Sequence, residues 1–339
     1  MRALGVLLIV LLQPIAIRTQ VRAPERPPLA ATDLVVGSEH LVSLTVASLE
    51  RALAFYRDGV GLQAEGTSNG DSNAPLRQLF GLPDAHLRWA VARPPAMTAG
   101  IEIMEISGTP ARRLGRRVQQ PGAFMLLVTV RDVDAVMQRM KAVGGTVVTT
   151  GGGPVTAGRA NPLRAVVVRD TDGHFIELLQ PGTLPDGPAS GAIDVRLRLT
   201  VDDLDHAVAL YRDALGFHQV SISGFVADRT GMDLLGLPPG GEYRYASLQV
   251  PGTKLSMELI EFRGVERQHV DGRIQDPGST RLQLQVRDLD AAVRAVVNTG
   301  GAVVSTGAVP LELPGGGDAT VRGAMVRDPD NLFLVFVAR

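Results

Sequence analysis

The sequence predicts an α+β fold assembled from four βαβββ modules, and three observations predict it. The stretch LTVASLERALAFYRDGVGL, residues 44–62, is written again as LTVDDLDHAVALYRDALGF at 199–217. Further landmarks return in the same register, 155 to 158 positions later: GLP from Gly81 at Gly236, IEIMEI from Ile101 as MELIEF from Met257, RDVD from Arg131 as RDLD from Arg287, and VVVRDTDGHF from Val166 as AMVRDPDNLF from Ala324. In both copies an alternating apolar run gives way to helical spacing, at Leu49, Leu53, Tyr56 and Val60 and again at Leu204, Val208, Tyr211 and Leu215. A register kept over so many landmarks means two homologous halves, each of two modules.

Taken in order, residues 1–22 read as a signal peptide or N-terminal anchor. Arg2 precedes an apolar run from Ala3 to Leu12, which Gln13 and Pro14 break. That run is too short to cross a bilayer as a helix. Cleavage is expected after Thr19 or Ala23, which places the mature protein in a periplasm or outside the cell with no stable membrane span. Residues 23–38 contain APERPPLAA and read as a Pro-rich linker.

The first half, 39–181, opens with a strand in HLVSLTV, then a helix that Ser48 is placed to cap and Gly61 to end. Three strand candidates follow: around Gly61 to Gly66, Leu87 to Arg93, and Gly100 to Ile106. A second module starts at Ala123 with FMLLVTV, continues through a helix with Val133, Val136, Met137 and Met140 on one face, and ends in TVVTTGG, LRAVVVRD and HFIELLQP. GTLPDGPASG, 182–191, is turn-forming and reads as the linker to the second half, 192–339, where Asp203 and Gly216 repeat the cap and the stop.

Composition narrows the function. A chain of 339 residues suggests two domains at a prior of ~150 residues each. With Lys+Arg 34 against Asp+Glu 35 there is no global field to gather nucleic acid or an anionic membrane. The chain has no Cys, so any metal would be held by His, Asp or Glu. GGG at 151–153 and 315–317 is not followed by a Lys-Ser/Thr pair and reads as loop. Oligomeric state is not encoded in any of these features.

Four such modules, with openings like LTVASLERALAFYRD and endings like RDTDGHFIELL, resemble the vicinal oxygen chelate superfamily of glyoxalases, extradiol dioxygenases and bleomycin-resistance proteins. The resemblance implies modules paired into two glyoxalase-like domains, each a cup of curved sheet with helices outside. In metal-using members the first strand of a module offers a His and the last a Glu, so that a divalent ion keeps open positions for two substrate oxygens. By that pattern Glu102, Glu177 and Glu258 fall where metal carboxylates belong, and Val335 takes the fourth place. The first-strand positions are Leu41, Met125, Arg196 and Arg281, with His40 one residue out of phase and so aimed at the helices unless a bulge turns it inward.

By strand parity the N-terminal cup would bring Glu102 and Glu177 together as candidate catalytic residues, with Ser43, Thr45, Met104, Met125, Thr129 and Phe175 lining an apolar ligand site. The candidate metal set is His40, Glu102 and Glu177. The C-terminal cup would present Arg196, Arg198, Thr200, Glu258, Arg281, Gln283 and Gln285, either satisfying one another as an ion-pair network, the favoured reading, or open to an anionic ligand. His174 and His218 are expected at the surface, as are Glu105 and Glu261. Two readings lead, beside a third in which the cups are plugged and an exposed surface of the scaffold binds another protein. One is an exported protein that binds a small molecule in the N-terminal cup without the standard ligand set and with no cofactor. The other is a metal-dependent isomerase, lyase or dioxygenase using one divalent ion.

Overall fold

The computed structural model describes residues 34–38, 42–69, 73–95, 97, 100–158, 161–184, 191–305, 309–311 (backbone only) and 321–338. Each module begins with a strand that runs into a helix, and all four helices start the same way. Ser48, Asp132, Asp203 and Asp288 accept a hydrogen bond from the backbone N–H three residues on, satisfying a donor that the first helical turn cannot. The helices of the first and third modules widen into a π-helical turn, Phe55–Val60 and Ala209–Ala214. Gly61, at φ 90°, closes the first of these in the left-handed conformation expected of it.

Within each module the first and last strands lie side by side and parallel: Val42–Val46 with Ile101–Ser107, Phe124–Val130 with Phe175–Pro181, Ala192–Thr200 with Ser256–Arg263, and Thr280–Val286 with Phe333–Ala338. Modules then join through their first strands, antiparallel. Val128 pairs with Val195, which joins the second module to the third, and Leu44 pairs with Thr280, which joins the first to the fourth. Two sheets result. Sheet one holds modules one and four, and sheet two holds modules two and three.

The repeat leaves open whether cups form within a half or between halves, and here each cup draws on both halves. The reason lies in the connections. Phe175–Pro181 and Ala192–Thr200 flank Phe124–Val130 in one sheet, so the end of the second module and the start of the third lie together. The longer segments 108–123 and 264–279 cross between sheets and bind each other. Leu114 N–H donates to the Pro277 carbonyl at 2.9 Å, and the Arg116 guanidinium donates to the Val270 carbonyl at 2.9 Å. A correction concerns 23–38: Val35–Gly37 is a strand that pairs with Thr280–Val286.

The strand faces divide the core. Leu44, Ile103, Leu126, Ile176, Leu197 and Leu284 point to the helix side and form one continuous interior with Tyr56, Met140 and Tyr211. Residues of the opposite parity face two separate concavities. That of sheet one is filled by Leu79, Phe80, Met104, Ile274 and Phe333. That of sheet two is lined by Leu127, Leu179, Leu234, Leu235 and Ile260, and it keeps a cleft.

Candidate functional site

The cleft of sheet two is floored by three ions from three strands, two of them neighbours and the third one strand further on, beyond Phe124–Val130. Glu177 sits on Phe175–Pro181, Arg198 on Ala192–Thr200 and Glu258 on Ser256–Arg263. Arg198 donates through Nη1 to Glu177 Oε2 and through Nε to Glu258 Oε1, so one guanidinium is shared by two carboxylates. The Glu177 side chain is 1% exposed, Arg198 8% and Glu258 22%. Burial pushes the Glu177 carboxyl above its ordinary range, opposed by Arg198 and reinforced by the charge of Glu258. Arg198 is held more firmly protonated than usual. Its own burial pulls the other way, and the two carboxylates outweigh it. Leu127, Leu163, Leu179, Leu234, Tyr245 and Ile260 line the cleft above this floor, and its cavity volume is about 60 Å³.

Sheet one carries a reduced copy. Arg281 donates to Glu102, which also accepts from the Ser43 hydroxyl at 2.9 Å. The Arg281 guanidinium lies 4.9 Å from the Phe80 ring centre and 3.3 Å from Met104 Sδ. Val335 stands where sheet two has Glu177. Helix Ala74–Phe80 inserts Leu79 and Phe80 into this concavity, leaving it packed.

Glu102 and Glu177 therefore do not converge. They lie in different sheets, each held by its own arginine. The six residues expected to line one ligand site divide the same way, with Ser43, Thr45 and Met104 in sheet one and Met125, Thr129 and Phe175 in sheet two. Thr45 is fully buried and donates to the Ile274 carbonyl at 2.9 Å. Met125 Sδ receives Arg198 Nη1 at 3.8 Å. Phe175 is buried in the sheet-two core. The expected arginine network is present only in sheet two, because Arg281 belongs to sheet one.

Three expectations for outlying residues are also corrected. His174 is buried and donates from Nε2 to the Thr45 carbonyl at 3.0 Å. Glu105 and Glu261 do not run out to solvent. They accept from the Leu49 and Leu204 N–H groups, each at 2.8 Å, and so help cap the helices of modules one and three. His218 is exposed, as expected.

The donor set does not suit a divalent ion. The place between Glu177 and Glu258 that a cation would take is held by the Arg198 guanidinium, and Glu102 is engaged by Arg281. Met125, Arg196 and Arg281 supply no normal ligand for a hard cation. Among the described residues no three His, Asp or Glu side chains are grouped to hold a metal. His40 and Leu41 lie outside the described residues.

Sequence reasoning missed the two short helices, Ala74–Phe80 and Arg229–Leu234, that roof the concavities. The repeated GLP was their signal, because Gly81 and Gly236, both at φ 67°, end them.

A family model described as Glyoxalase/Bleomycin resistance protein/Dioxygenase superfamily matches residues 37–178 and 195–336. No curated protein sequence gives a significant match. Among solved structures, glyoxalase I from Zea mays is similar at 21% identity and TM-score 0.59, over 89% of this chain and 92% of that one. A proposed dioxygenase from Bacillus subtilis is similar at 12% identity and TM-score 0.53, over 91% and 86%. At these identities the likeness is one of fold.

Proposed function

The chain belongs to the Glyoxalase/Bleomycin resistance protein/Dioxygenase superfamily, and from that premise we propose that it is a binding member whose site, the cleft of sheet two, takes a small molecule without a metal. The observation that carries this reading is Arg198 seated between Glu177 and Glu258. A guanidinium supplies positive charge where metal-using relatives place an ion, but it has no open coordination position. It therefore cannot chelate two substrate oxygens as a Lewis acid does. What remains is a concave, largely apolar cleft with a few fixed polar groups, the usual make-up of a small-molecule site.

The metal-dependent isomerase, lyase or dioxygenase reading needs Glu177 or Glu258 to leave Arg198, which would break one of the two ion pairs of a guanidinium only 8% exposed. The site also moves from the N-terminal half, where the sequence placed it, to the junction of modules two and three. Export through residues 1–22 belongs to the same proposal, since an apolar run of that length ahead of a Pro-rich spacer suits a cleaved signal.

Thermal unfolding of the tag-free protein with a metabolite panel, in chelator and in added divalent metal, tests the reading. Ligand-induced stabilisation that survives the chelator is expected. A response that appears only with divalent metal would overturn it.

A further inference from the structure

The floor of the sheet-two cleft carries more negative charge than its cation neutralises. Glu177 and Glu258 share Arg198, one positive charge between two carboxylates. Glu177 Oε1 is buried with no hydrogen-bond partner among the described residues. Glu258 is the most exposed of the three, at 22% against 8% and 1%, so the uncompensated charge reaches the cleft there. The other cation of the cleft, Arg196, is 31% exposed and lies 3.9 Å from Asp194. It acts on Glu177 without a hydrogen bond, and its charge is shared with Asp194 and screened by water. Sheet one supplies the contrast, with one carboxylate facing one guanidinium, Val335 in the place of the second carboxylate, and side chains packed over the pair. Only the sheet-two floor combines an unmatched carboxylate with space above it.

We propose that the cleft takes a small apolar ligand bearing one cationic nitrogen, its ammonium held by Glu258 and Glu177 and its body set among Leu127, Leu179, Leu234 and Tyr245. This deepens the metal-free binding reading and rests on it. An ammonium would make two cations against two carboxylates and would offer donors to the oxygen that lacks one. A neutral hydroxyl could supply a donor but not the charge. A carboxylate ligand would add a third anion to a floor already short of positive charge. The Tyr243 and Tyr245 side chains of the same cleft favour a cation further, since aromatic rings attract one. A cavity of about 60 Å³ admits roughly four to six water-sized spheres, which seats the ammonium and the nearest carbons and leaves the rest of the body at the cleft mouth.

Three probes that share a body and differ in head group test this by calorimetric titration of the full chain in chelator: phenethylamine, 2-phenylethanol and phenylacetate. The amine is expected to bind at least about tenfold more tightly than the other two. Glu258→Gln is expected to remove about that factor for the amine and to change binding of the alcohol far less, because only the amine loses a charge partner. Glu258 is partly exposed, so its substitution spares the buried pair, and circular dichroism confirms the fold. Alcohol or carboxylate binding as tight as the amine, or an amine preference that survives Glu258→Gln, overturns the proposal while leaving the cleft a metal-independent site. Failure of all three in chelator also overturns it, and binding restored only by divalent metal overturns the metal-free reading with it.

Discussion

The Tyr56 hydroxyl donates to Asp170 Oδ2 at 3.0 Å, tying the helix of the first module to the turn before the last strand of the second. Tyr211 repeats the contact with Asp328 at 2.6 Å in the other half. Gly59 packs against Met140 and Val143 at the same helical layer. Each half thus stays together on the helix side while its strands go to different sheets. A duplicated sequence can therefore show two halves and still build two cups that each draw on both.

That contact should be measurable. Asp170 Oδ1 accepts from the N–H groups of Asp172, Gly173 and His174, so Tyr56 serves the other oxygen alone. Tyr56→Phe is expected to leave Oδ2 buried without its donor and to cost about 1–3 kcal/mol in urea unfolding. Tyr211→Phe should cost about as much. A loss in only one half would mean that the two layers are not held alike.

Arg198→Met is expected to be the most destabilising change in the sheet-two cleft. It removes the cation paired with a carboxylate of 1% exposure, and breaking such a buried pair costs about 3–5 kcal/mol. Adding Glu177→Gln should recover a large part of that loss, because the residual floor then holds one partly exposed carboxylate. A double variant as unstable as the single one would assign the effect of Arg198 to packing.

These residues also show how far the sequence could be read. Modules, helix caps and the split between cup-facing and helix-facing residues were legible because they are local, set by periods of 2 and 3.6 and by a side chain within three residues. Module pairing was not. Strands Phe124–Val130 and Thr280–Val286 have similar patterns, and nothing local says which of them lies beside Val42–Val46 or Ala192–Thr200. Parity placed Glu102, Glu177, Arg198 and Glu258 on concave faces correctly. Which glutamate meets which arginine depended on the pairing, so the twin acids of one imagined cup became two separate ion-pair floors. His174 was misplaced for a related reason. Its acceptor, the Thr45 carbonyl, is 129 residues away, and no spacing reveals such a partner.

Export predicts a shortened chain. If residues 1–22 are a signal, protein recovered from the periplasm or medium should begin after Thr19 or Ala23, read by N-terminal sequencing and intact mass. Full-length protein retained in the membrane fraction would make the segment an anchor.

Stability should fall as pH rises toward 8. Burial, with the charge of Asp328 next, pushes the Asp330 carboxyl up to about 8, and burial pushes Asp328 up to about 6 despite its hydrogen bond from Tyr211. Asp202 adds repulsion at Asp330 and Arg267 opposes it, while His206 and His269 line the same small cavity. An unfolded Asp has a pKa of about 3.9. Between these values the native state keeps protons that the unfolded chain releases, so stability decreases with rising pH. The contribution is complete below about pH 4 and lost above about pH 8. Melting temperature should therefore drop from pH 5 to pH 8.5. Asp330→Asn isolates the contribution of this carboxyl, and its Oδ1 can still accept the Asp202 N–H that the wild-type oxygen receives at 2.7 Å. That variant should show a flatter profile and gain most over wild type at the alkaline end. A slope unchanged by the substitution would overturn the assignment to Asp330.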